Sequence, residues 1–327
     1  MNPQKVLVTG GSGFVGGRLI QRMKSQGWEV RALARSPSAA QRVAALGAEA
    51  ASGDLDDPQA LKRALEGCEA VIHVAAVFKL WGGKDEFERA NVQGTRNLLE
   101  AAAATSTVRR FVQVGAAAVV MGDMQPMTRA DESLPRQERP WAPYSASKAR
   151  AEALVLGANA PGRFETVVIR PPMIWGQGMP TLDKMVENVR AGQFRWVGDG
   201  SQAMSTAHVD NVCHAALLAL ESGTGGQAYF ISDGRDGTLR EVIPALLRSR
   251  GIDAPKASVP LPVAWRLAQC MEWVWRVFKR PGEPPITRQM LRLIGQPFTL
   301  NIDKAERELG YRPIVSWEQG LAAMQST

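Results

Sequence analysis

The chain has 327 residues, 45% of them hydrophobic and 22% charged, which is enough apolar content for one large domain or two coupled domains. Its net charge of +7 suits anionic ligands, but no basic stripe interleaved with aromatic residues is present, so we expect no nucleic-acid partner. The three cysteines lie far apart without metal-ligand spacing, which indicates a reducing compartment and no metal. No apolar segment resembles a signal peptide or reaches the roughly 18 residues of a membrane span, so we expect a cytoplasmic protein.

The first half of the chain alternates short β-branched runs with segments of helical periodicity. The predicted strands are KVLVTG, WEVRALAR, AEAASGDL, EAVIHVAA, RRFVQVGA and FETVVIRPP. The predicted helices are FVGGRLIQRMKSQG, PSAAQRVAALG, DPQALKRALEGC, EFERANVQGTRNLLEAAAAT and SASKARAEALVLGAN. This alternation predicts an α/β fold with a doubly wound parallel sheet, whose ligands bind at the carboxyl ends of the strands.

A glycine loop, GGSGFVGG, joins the first predicted strand to the first predicted helix. Gly10 permits a tight turn, Gly13 lets the backbone approach a pyrophosphate, and Gly16 lets the helix pack closely on the sheet. Phe14 and Val15 open the helix, whose free amides and positive dipole end attract phosphate. In this position the loop predicts a dinucleotide-binding Rossmann domain, which we assign to residues 1–171.

The composition changes after residue 171, where Gly, Pro and Trp become frequent and predicted strands no longer alternate with predicted helices. We assign residues 172–327 mainly to a smaller substrate-binding cap. The segments AHVDNVCHAALLALES and GQAYFISDG restore a helix and a strand. We therefore expect residues 205–233 to return to the Rossmann core.

The end of the second strand bears on which dinucleotide is bound. It carries Arg35 and no acidic residue, and Arg31 lies nearby. An arginine suits the phosphate of NADP, whereas an acidic residue would bond the ribose hydroxyls of NAD. We expect NADP, with NAD as the alternative if Arg35 is only a solvated charge. Asp54, after the third strand, is either a partner of the adenine amino group or a turn residue.

The segment YSASK places Tyr144 and Lys148 four residues apart on a predicted helix, so both side chains lie on one face. A tyrosine with a pKa near 10 is a poor base at neutral pH, and a neighbouring ammonium group lowers that pKa by stabilising the phenolate. The same lysine can hold the nicotinamide ribose. Because the pair follows a predicted sheet strand, we favour a catalytic pair over a chance surface pair.

The segments TGGSGFVG, GDL, HVAA, NVQGTRNLL, YSASK and IRPPMIWGQG together resemble, in order, the extended short-chain dehydrogenases/reductases of the NAD-dependent epimerase/dehydratase superfamily. HVDNVCHAALLALE, GQAYFISDG and EPPITRQMLRLIG more closely resemble the 3β-hydroxysteroid dehydrogenase-like branch. The resemblance covers essentially the whole chain. It implies an NAD(P)-dependent oxidoreductase that forms a homodimer.

The resemblance also implies roles for particular residues. Tyr144 is the proton donor or acceptor, and Lys148 is its helper. The expected cofactor contacts extend to Leu55, Ala75, Ala76 and Pro171. Asn91 lies near the site, either as a proton relay or bonded only to backbone, and His73 lines the cofactor loop. His208 and His214 are expected to be packing or surface residues.

The segment FVQVGAAAVVMG departs from the family pattern, which has a serine or threonine here to polarise the substrate oxygen. The loop Gly115–Ala118 stands there instead, without a hydroxyl. Loss of one positioned donor costs roughly 2–3 kcal/mol, about a hundredfold in rate. Three interpretations follow: Tyr144 works alone or with a water, substrate group or loop amide; another hydroxyl substitutes; or the protein binds dinucleotide without turnover. The nearest hydroxyls in sequence belong to Ser145, Ser147 and Thr128.

The second half is rich in Trp and Met, which line pockets for large apolar ligands or fill cores. These residues are Trp175, Trp196, Trp265, Trp273, Trp275, Met173, Met179 and Met271, with Trp81 in the earlier loop VFKLWGG. We expect interconversion of a secondary alcohol and a ketone on a hydrophobic, steroid-like or acyl-chain substrate. The alternative is a nucleotide-sugar epimerase or dehydratase, in which Arg195 and Arg288 would bind the diphosphate.

The segment PVAWRLAQCMEWVWRVFKR is predicted to form an amphipathic helix. Its polar side would carry Arg266, Gln269, Glu272, Arg276 and Lys279. Its apolar side would carry Trp265, Met271, Trp275 and Phe278. Residues 263–279 are therefore a core helix, a cover for the pocket, a dimer face or a peripheral membrane contact.

Overall fold

The computed structural model describes residues 5–325; residues 1–4 and 326–327, the outer ends of the two predicted domains, lie outside the described residues. The strands are β1 (Lys5–Thr9), β2 (Glu29–Ala34), β3 (Glu49–Ser52), β4 (Ala70–His73), β5 (Arg110–Val114), β6 (Met127–Ala130), β7 (Glu165–Arg170), β8 (Met173–Trp175), β9 (Trp196–Val197), β10 (Ala203–His208), β11 (Gln227–Phe230), β12 (Asp236–Thr238), β13 (Ser258–Val259) and β14 (Phe298–Leu300). The helices are α1 (Phe14–Ser25), α2 (Pro37–Ala45), α3 (Pro58–Leu65), α4 (Lys84–Phe87), α5 (Gly94–Ala104), α6 (Pro143–Gly157), α7 (Pro180–Arg190), α8 (Val209–Ser222), α9 (Leu239–Arg248), α10 (Leu261–Val277), α11 (Arg288–Ile294), α12 (Asp303–Leu309) and α13 (Trp317–Gln325). A π-helical turn, Glu88–Gln93, joins α4 to α5, and a 3₁₀ helix, Ala117–Val120, follows β5.

Seven parallel strands form the main sheet in the order β3-β2-β1-β4-β5-β7-β11. The chain builds from β1 outward to β3 and then places β4 on the other side of β1, so the winding reverses between β1 and β4. Doubly wound sheets bind their ligands at the carboxyl ends of the strands beside such a reversal. The predicted α/β Rossmann sheet is confirmed.

The inner strand β1 is apolar from Val6 to Val8 because helices cover both faces of the sheet. Val6, Leu7 and Val8 are all fully buried. Val6 and Val8 belong to one hydrophobic cluster, whereas Leu7 belongs to the cluster on the other face. Because successive side chains of a strand point to opposite faces, three consecutive residues contribute to the hydrophobic clusters on both faces of the sheet.

A smaller sheet has the order β12-β10-β14-β6, and β8 pairs with β10. The two sheets exchange segments along the chain: β6 comes from the first half, whereas β11 comes from the second half and extends the main sheet. Helix α8 also packs on the main sheet, against β4, β5 and β7. The division of the chain at residue 171 remains a prediction.

A buried ion pair joins α6 to β7. Arg170 donates from Nε to one carboxylate oxygen of Glu152 at 2.9 Å and from Nη2 to the other at 2.5 Å. The two side chains are 3% and 0% exposed. Glu152 follows Lys148 by four residues, as Lys148 follows Tyr144, and all three are buried. The ion pair therefore fixes the helix face that carries the proposed catalytic residues.

Replacing Glu152 with Gln should lower the free energy of unfolding by about 3–5 kcal/mol, because Arg170 would remain buried without its counter-ion. The matched control is Glu165→Gln, since Glu165 pairs with Arg110 at a partly exposed position and its loss should cost less than about 1 kcal/mol. Urea unfolding of both variants and the unmodified protein measures the difference. Equal losses in the two variants would contradict the role given to the buried pair.

Candidate active site

The glycine loop packs against the loop that follows β4. Gly10 has a φ of +72°, and a Cβ there would lie 2.7 Å from the amide nitrogen of Ala75. A Cβ on Gly16 would collide with the carbonyl group of Gly10. Gly13, the N-cap of α1, has no side chain to cap the helix, and the first turn contains no acidic residue. The amides and positive dipole end of α1 are therefore suited to a dinucleotide phosphate.

The carboxyl end of β2 presents Arg35, which is exposed. Arg31 has a structural role instead, because its guanidinium binds Glu49 at 2.9 Å and the carbonyl oxygen of Glu66 at 2.7 Å. Asp54 is exposed after β3, where its Oδ1 accepts a hydrogen bond from the amide of Leu55 at 2.6 Å. Arg35 is thus an exposed cation that this edge of the sheet offers to a ligand.

Tyr144 is 9% exposed, in the first turn of α6 after Pro143. The rings of Phe78 and Phe87 meet its ring edge-on, with centroid distances of 4.9 and 6.4 Å. Burial raises the pKa of Tyr144 above its ordinary value, so its phenol is protonated at neutral pH. A protonated phenol in this position is chemically able to donate a proton to a ketone oxygen.

Lys148 is buried, and its Nζ donates to the carbonyl oxygen of Val114 at 3.0 Å, where β5 ends. Burial lowers the pKa of Lys148 to about 8, and the charge of Glu152 partly opposes that shift. The spacing of YSASK led us to expect that Lys148 would lower the pKa of Tyr144. Burial instead raises the pKa of Tyr144.

His73 is enclosed by two hydroxyl groups at the carboxyl end of β4. Its Nδ1 lies 2.7 Å from Oγ1 of Thr9, and its Nε2 lies 2.9 Å from Oγ1 of Thr95. Burial lowers the pKa of His73 to about 3, and the charge of Lys148 adds to this shift, so the ring is neutral. The amide of Ala75 donates to Thr9 at 3.3 Å, which connects this network to the expected cofactor loop.

Asn91 lies in the π-helical turn that interrupts the long helix predicted from the sequence. Its side chain accepts a hydrogen bond from the amide of Val77 at 2.7 Å and donates to the carbonyl of Val77 at 3.1 Å. It also donates to Oγ of Ser147 at 2.9 Å, and that hydroxyl donates to the carbonyl of Tyr144 at 2.7 Å. Asn91 thus holds the 77 loop against the first turn of α6, and π-helical turns often lie at functional sites.

The loop without a hydroxyl, Gly115–Ala118, lies beside Lys148 and is buried. The amide of Gly115 donates to the carbonyl of Ile169, and that of Ala117 donates to the carbonyl of Pro171, both at 2.8 Å. A Cβ on Gly115 would lie 2.9 Å from a methyl carbon of Val168. The loop is therefore held closely against β7 and the residue that follows it.

The three hydroxyls considered as substitutes have other places in the structure. Thr128 is exposed on β6 in the smaller sheet. Ser147 is bonded to Asn91 and to the backbone of α6. Ser145 accepts a hydrogen bond from Nε2 of Gln289 at 2.8 Å. Substitution of the missing hydroxyl by any of them remains a prediction.

Helix α10 packs beside the loops around Tyr144. The rings of Trp265 and Trp141 meet edge-on at 5.3 Å, and the guanidinium of Arg276 lies 5.2 Å from the ring centre of Trp81. The buried side of α10 contains Ala264, Ala268 and Glu272. Glu272, predicted on the polar side, is buried, and Phe278, predicted on the apolar side, is 66% exposed. Burial does not follow the predicted division because α10 has apolar residues on two sides.

Glu272 is buried because it pairs with Arg288 of α11. Its carboxylate accepts hydrogen bonds from Nε of Arg288 at 2.9 Å and from Nη2 at 2.7 Å. Arg195, the other arginine considered for a diphosphate, is exposed and donates to carbonyls of its own loop, those of Gly192 and Phe194. Trp175 and Trp196 are fully buried core residues rather than pocket residues.

The comparison with known families agrees with this architecture. Residues 7–263 match the 3-beta hydroxysteroid dehydrogenase/isomerase family. The chain belongs to this family. Members similar to the chain are named reductases and dehydrogenases, and the protein is accordingly an NAD(P)-dependent oxidoreductase.

Relatives in the 3-beta hydroxysteroid dehydrogenase/isomerase family match almost end to end. The chain is 43% identical over 322 residues to a 4-hydroxy-2-methyl-3-oxo-4-farnesyl-3,4-dihydroquinoline-1-oxide ketoreductase of Stigmatella aurantiaca, covering 98% of this chain and 96% of the relative. It is 36% identical over 331 residues to a 2-alkyl-3-oxoalkanoate reductase of Stenotrophomonas maltophilia, covering 99% of each. A solved dTDP-glucose 4,6-dehydratase from Streptomyces venezuelae, with NAD bound, has a TM-score of 0.75 and 27% identity over 98% of this chain and 96% of its own.

Sequence reasoning missed several side chains around the site. Phe78 lies in a loop whose contact with Tyr144 depends on the tertiary fold, so no local signal marked it. Trp141 stands three residues before Tyr144, and its contact with Trp265 of a distant helix has no local sequence signal. Glu152 could have been found, because the spacing of Tyr144 and Lys148 continues to it on the same helix face.

Replacing Lys148 with Met should change how stability depends on pH. A lysine with a lower pKa in the folded state destabilises that state below pH 8, and the cost is relieved as the pH rises from about 8 towards 10.5. Relative to Lys148→Met, the unmodified protein should therefore gain on the order of 2 kcal/mol between pH 7 and pH 10. Urea unfolding of both proteins at several pH values gives this difference, and a constant gap would contradict the lowered pKa of Lys148.

Proposed function

We propose that the protein is an NADP-dependent reductase that converts a ketone on a large hydrophobic molecule into a secondary alcohol. The observation that carries this proposal is the buried Tyr144, which burial keeps protonated and which the rings of Phe78 and Phe87 enclose. A protonated phenol suits reduction, in which the substrate oxygen gains a proton. Surrounding aromatic rings suit an apolar substrate.

Tyr144 and Lys148 have different roles in the proposed reaction. NADPH, when bound at the glycine loop, would supply the hydride for the carbonyl carbon. Tyr144 donates the proton from its hydroxyl to the carbonyl oxygen. The ammonium of Lys148, held at the carbonyl of Val114, would bind the nicotinamide ribose and stabilise the phenolate that Tyr144 becomes. Burial of both side chains excludes water from the proton transfer.

The loop Gly115–Ala118 would meet the substrate oxygen through its backbone in place of the missing hydroxyl. Gly115 and Ala117 already donate their amides to β7 and Pro171. The amides of Ala116 and Ala118 are therefore the donors that this loop offers to the substrate. An oriented backbone N–H stabilises negative charge on oxygen as a side-chain hydroxyl does.

The choice of a hydrophobic substrate over a nucleotide sugar rests on the two arginines of the cap. A diphosphate needs uncompensated cations, but Arg288 is already paired with the buried Glu272, and Arg195 bonds its own loop. The named substrates of the ketoreductase and the oxoalkanoate reductase carry a farnesyl group and alkyl chains respectively. We therefore infer a ketone attached to an extended apolar group.

Replacing Tyr144 with Phe should reduce turnover by about a hundredfold or more, because the proton donor is lost while the ring packing is kept. Absorbance at 340 nm with NADPH and a panel of 2-alkyl-3-oxoalkanoates, prenylated ketones and steroid ketones measures this. Tyr229→Phe is the matched control, since Tyr229 lies on β11 and its hydroxyl bonds Glu308. Full activity of the Tyr144 variant, or NADPH binding without oxidation by any ketone, would refute the proposed reaction.

Replacing Arg35 with Ala tests the choice of cofactor. The variant should bind NADPH about 10–100-fold more weakly, because a hydrogen bond between charged groups contributes about 1.5–3 kcal/mol. Its affinity for NADH should change by less than about threefold, because NADH lacks the phosphate that Arg35 would contact. Calorimetric titration of each cofactor measures both constants, with Lys62→Ala on the exposed side of α3 as the charge-loss control. An equal loss for both cofactors would refute the preference for NADP.

A further inference from the structure

Helix α10 presents a row of large apolar side chains to solvent. Val263, Leu267, Trp273, Val277 and Phe278, which we call the apolar stripe, are between 44% and 66% exposed. Val263, Trp273 and Val277 lie on the side of α10 opposite the buried Ala264, Ala268 and Glu272. Leu267 lies at the edge of that side, and Phe278 follows Val277 as the C-cap of the helix. Exposed apolar residues that are contiguous in this way mark an interaction surface.

The exposed charges on α10 and on the turn that follows it are all positive. Arg266, Arg276, Lys279 and Arg280 are exposed on α10 and the turn that follows it. The acidic residue of this helix, Glu272, is buried and paired with Arg288. The next acidic residue along the chain, Glu283, pairs with Lys184. The surface therefore combines apolar side chains with cations that form no ion pair within residues 5–325.

The positive charges favour an anionic lipid bilayer over a second copy of the chain as the partner of this surface. In a dimer with twofold symmetry the same patch meets its own copy, so these cations would face each other. An anionic lipid bilayer offers hydrocarbon to the stripe and negative headgroups to the cations. Lys and Arg side chains at the edge of an apolar face suit that boundary, because their charged ends stay in the headgroup region.

We propose that the apolar stripe docks the protein on an anionic lipid bilayer, with α10 lying in the plane of the interface. The helix has 17 residues, and none of the helices within residues 5–325 is long and apolar enough to cross a membrane. In the docked state only the side chains on one face of α10 therefore insert into the bilayer, and the rest of the chain stays outside it.

The same docking places the reaction site next to the bilayer. Helix α10 packs through Trp265 on Trp141, three residues before Tyr144. The ring of Phe78 lies against Tyr144 and is 50% exposed, so it connects the buried phenol with the surface. A hydrophobic ketone dissolved in the bilayer then enters the site at this surface without crossing water. This last step rests on the proposed function, whereas the docking does not.

Sedimentation of the full chain with vesicles tests the docking without any turnover. The protein should bind vesicles containing one third phosphatidylglycerol in phosphatidylcholine, and bind pure phosphatidylcholine vesicles far more weakly. The double variant Trp273→Ser, Phe278→Ser should bind at least about tenfold more weakly, because two large apolar side chains are lost. Arg266→Gln with Lys279→Gln should weaken binding to the anionic vesicles about 25-fold, at about fivefold per cation. Ile314→Ser, at a position 40% exposed outside α10, is the matched control and should bind normally.

The same variants distinguish the outcomes. Reduction of a short water-soluble ketone should be unchanged in the Trp273→Ser, Phe278→Ser variant, whereas reduction of a ketone embedded in anionic vesicles should fall with binding. Absence of vesicle binding by the unmodified protein would overturn the proposal. So would a dimer in solution that the stripe variant converts to monomers, because the stripe would then be a face between copies of this chain. Vesicle binding without ketone reduction would leave the docking in place and refute the proposed function instead.

Discussion

The buried ion pair between Glu152 and Arg170 sets the geometry on which the proposed site depends. Rotation of α6 would separate the two buried charges, and no water could then solvate either of them. The helix therefore keeps one orientation. Tyr144 and Lys148 lie on the face that Glu152 fixes. Arg170 ends β7, and the next residue, Pro171, accepts the amide of Ala117. The pair thus holds the helix with the proposed proton donor and the hydroxyl-free loop in one frame.

Exclusion of water shifts the pKa values of Tyr144 and Lys148 in opposite directions, but both shifts favour the uncharged side chain. Burial raises the pKa of the phenol and lowers that of the ammonium group, so each shift favours the neutral form. His73 follows the same rule, since its ring is neutral between two hydroxyls. A site of this kind provides few uncompensated charges, which accords with apolar substrates and with the pairing of Arg288 by Glu272.

The features that sequence reasoning recovered are those encoded within a few neighbouring residues. The glycine loop, the strand alternation and the spacing of YSASK are of this kind, and they were sufficient to predict the sheet and the family. Contacts between distant segments carried no such signal: His73 meets Thr9 and Thr95 across 64 and 22 residues. Periodicity showed that α10 is amphipathic, but it could not show which side meets the protein, because apolar residues occupy two sides and Glu272 finds its partner on another helix. The roles of the proposed site residues remain predictions.

The tight packing of Gly115 has a consequence for how this loop can change in evolution. A side chain at Gly115 would press on Val168 and on the backbone of β7, so a hydroxyl fits in the loop only at one of the three alanines that follow. Every alanine codon becomes a serine or threonine codon through one nucleotide substitution. Mutational distance is thus no obstacle to introducing a hydroxyl into this loop. The obstacle is physical, because each of these alanines is buried and a new hydroxyl there would need a hydrogen-bond partner of its own.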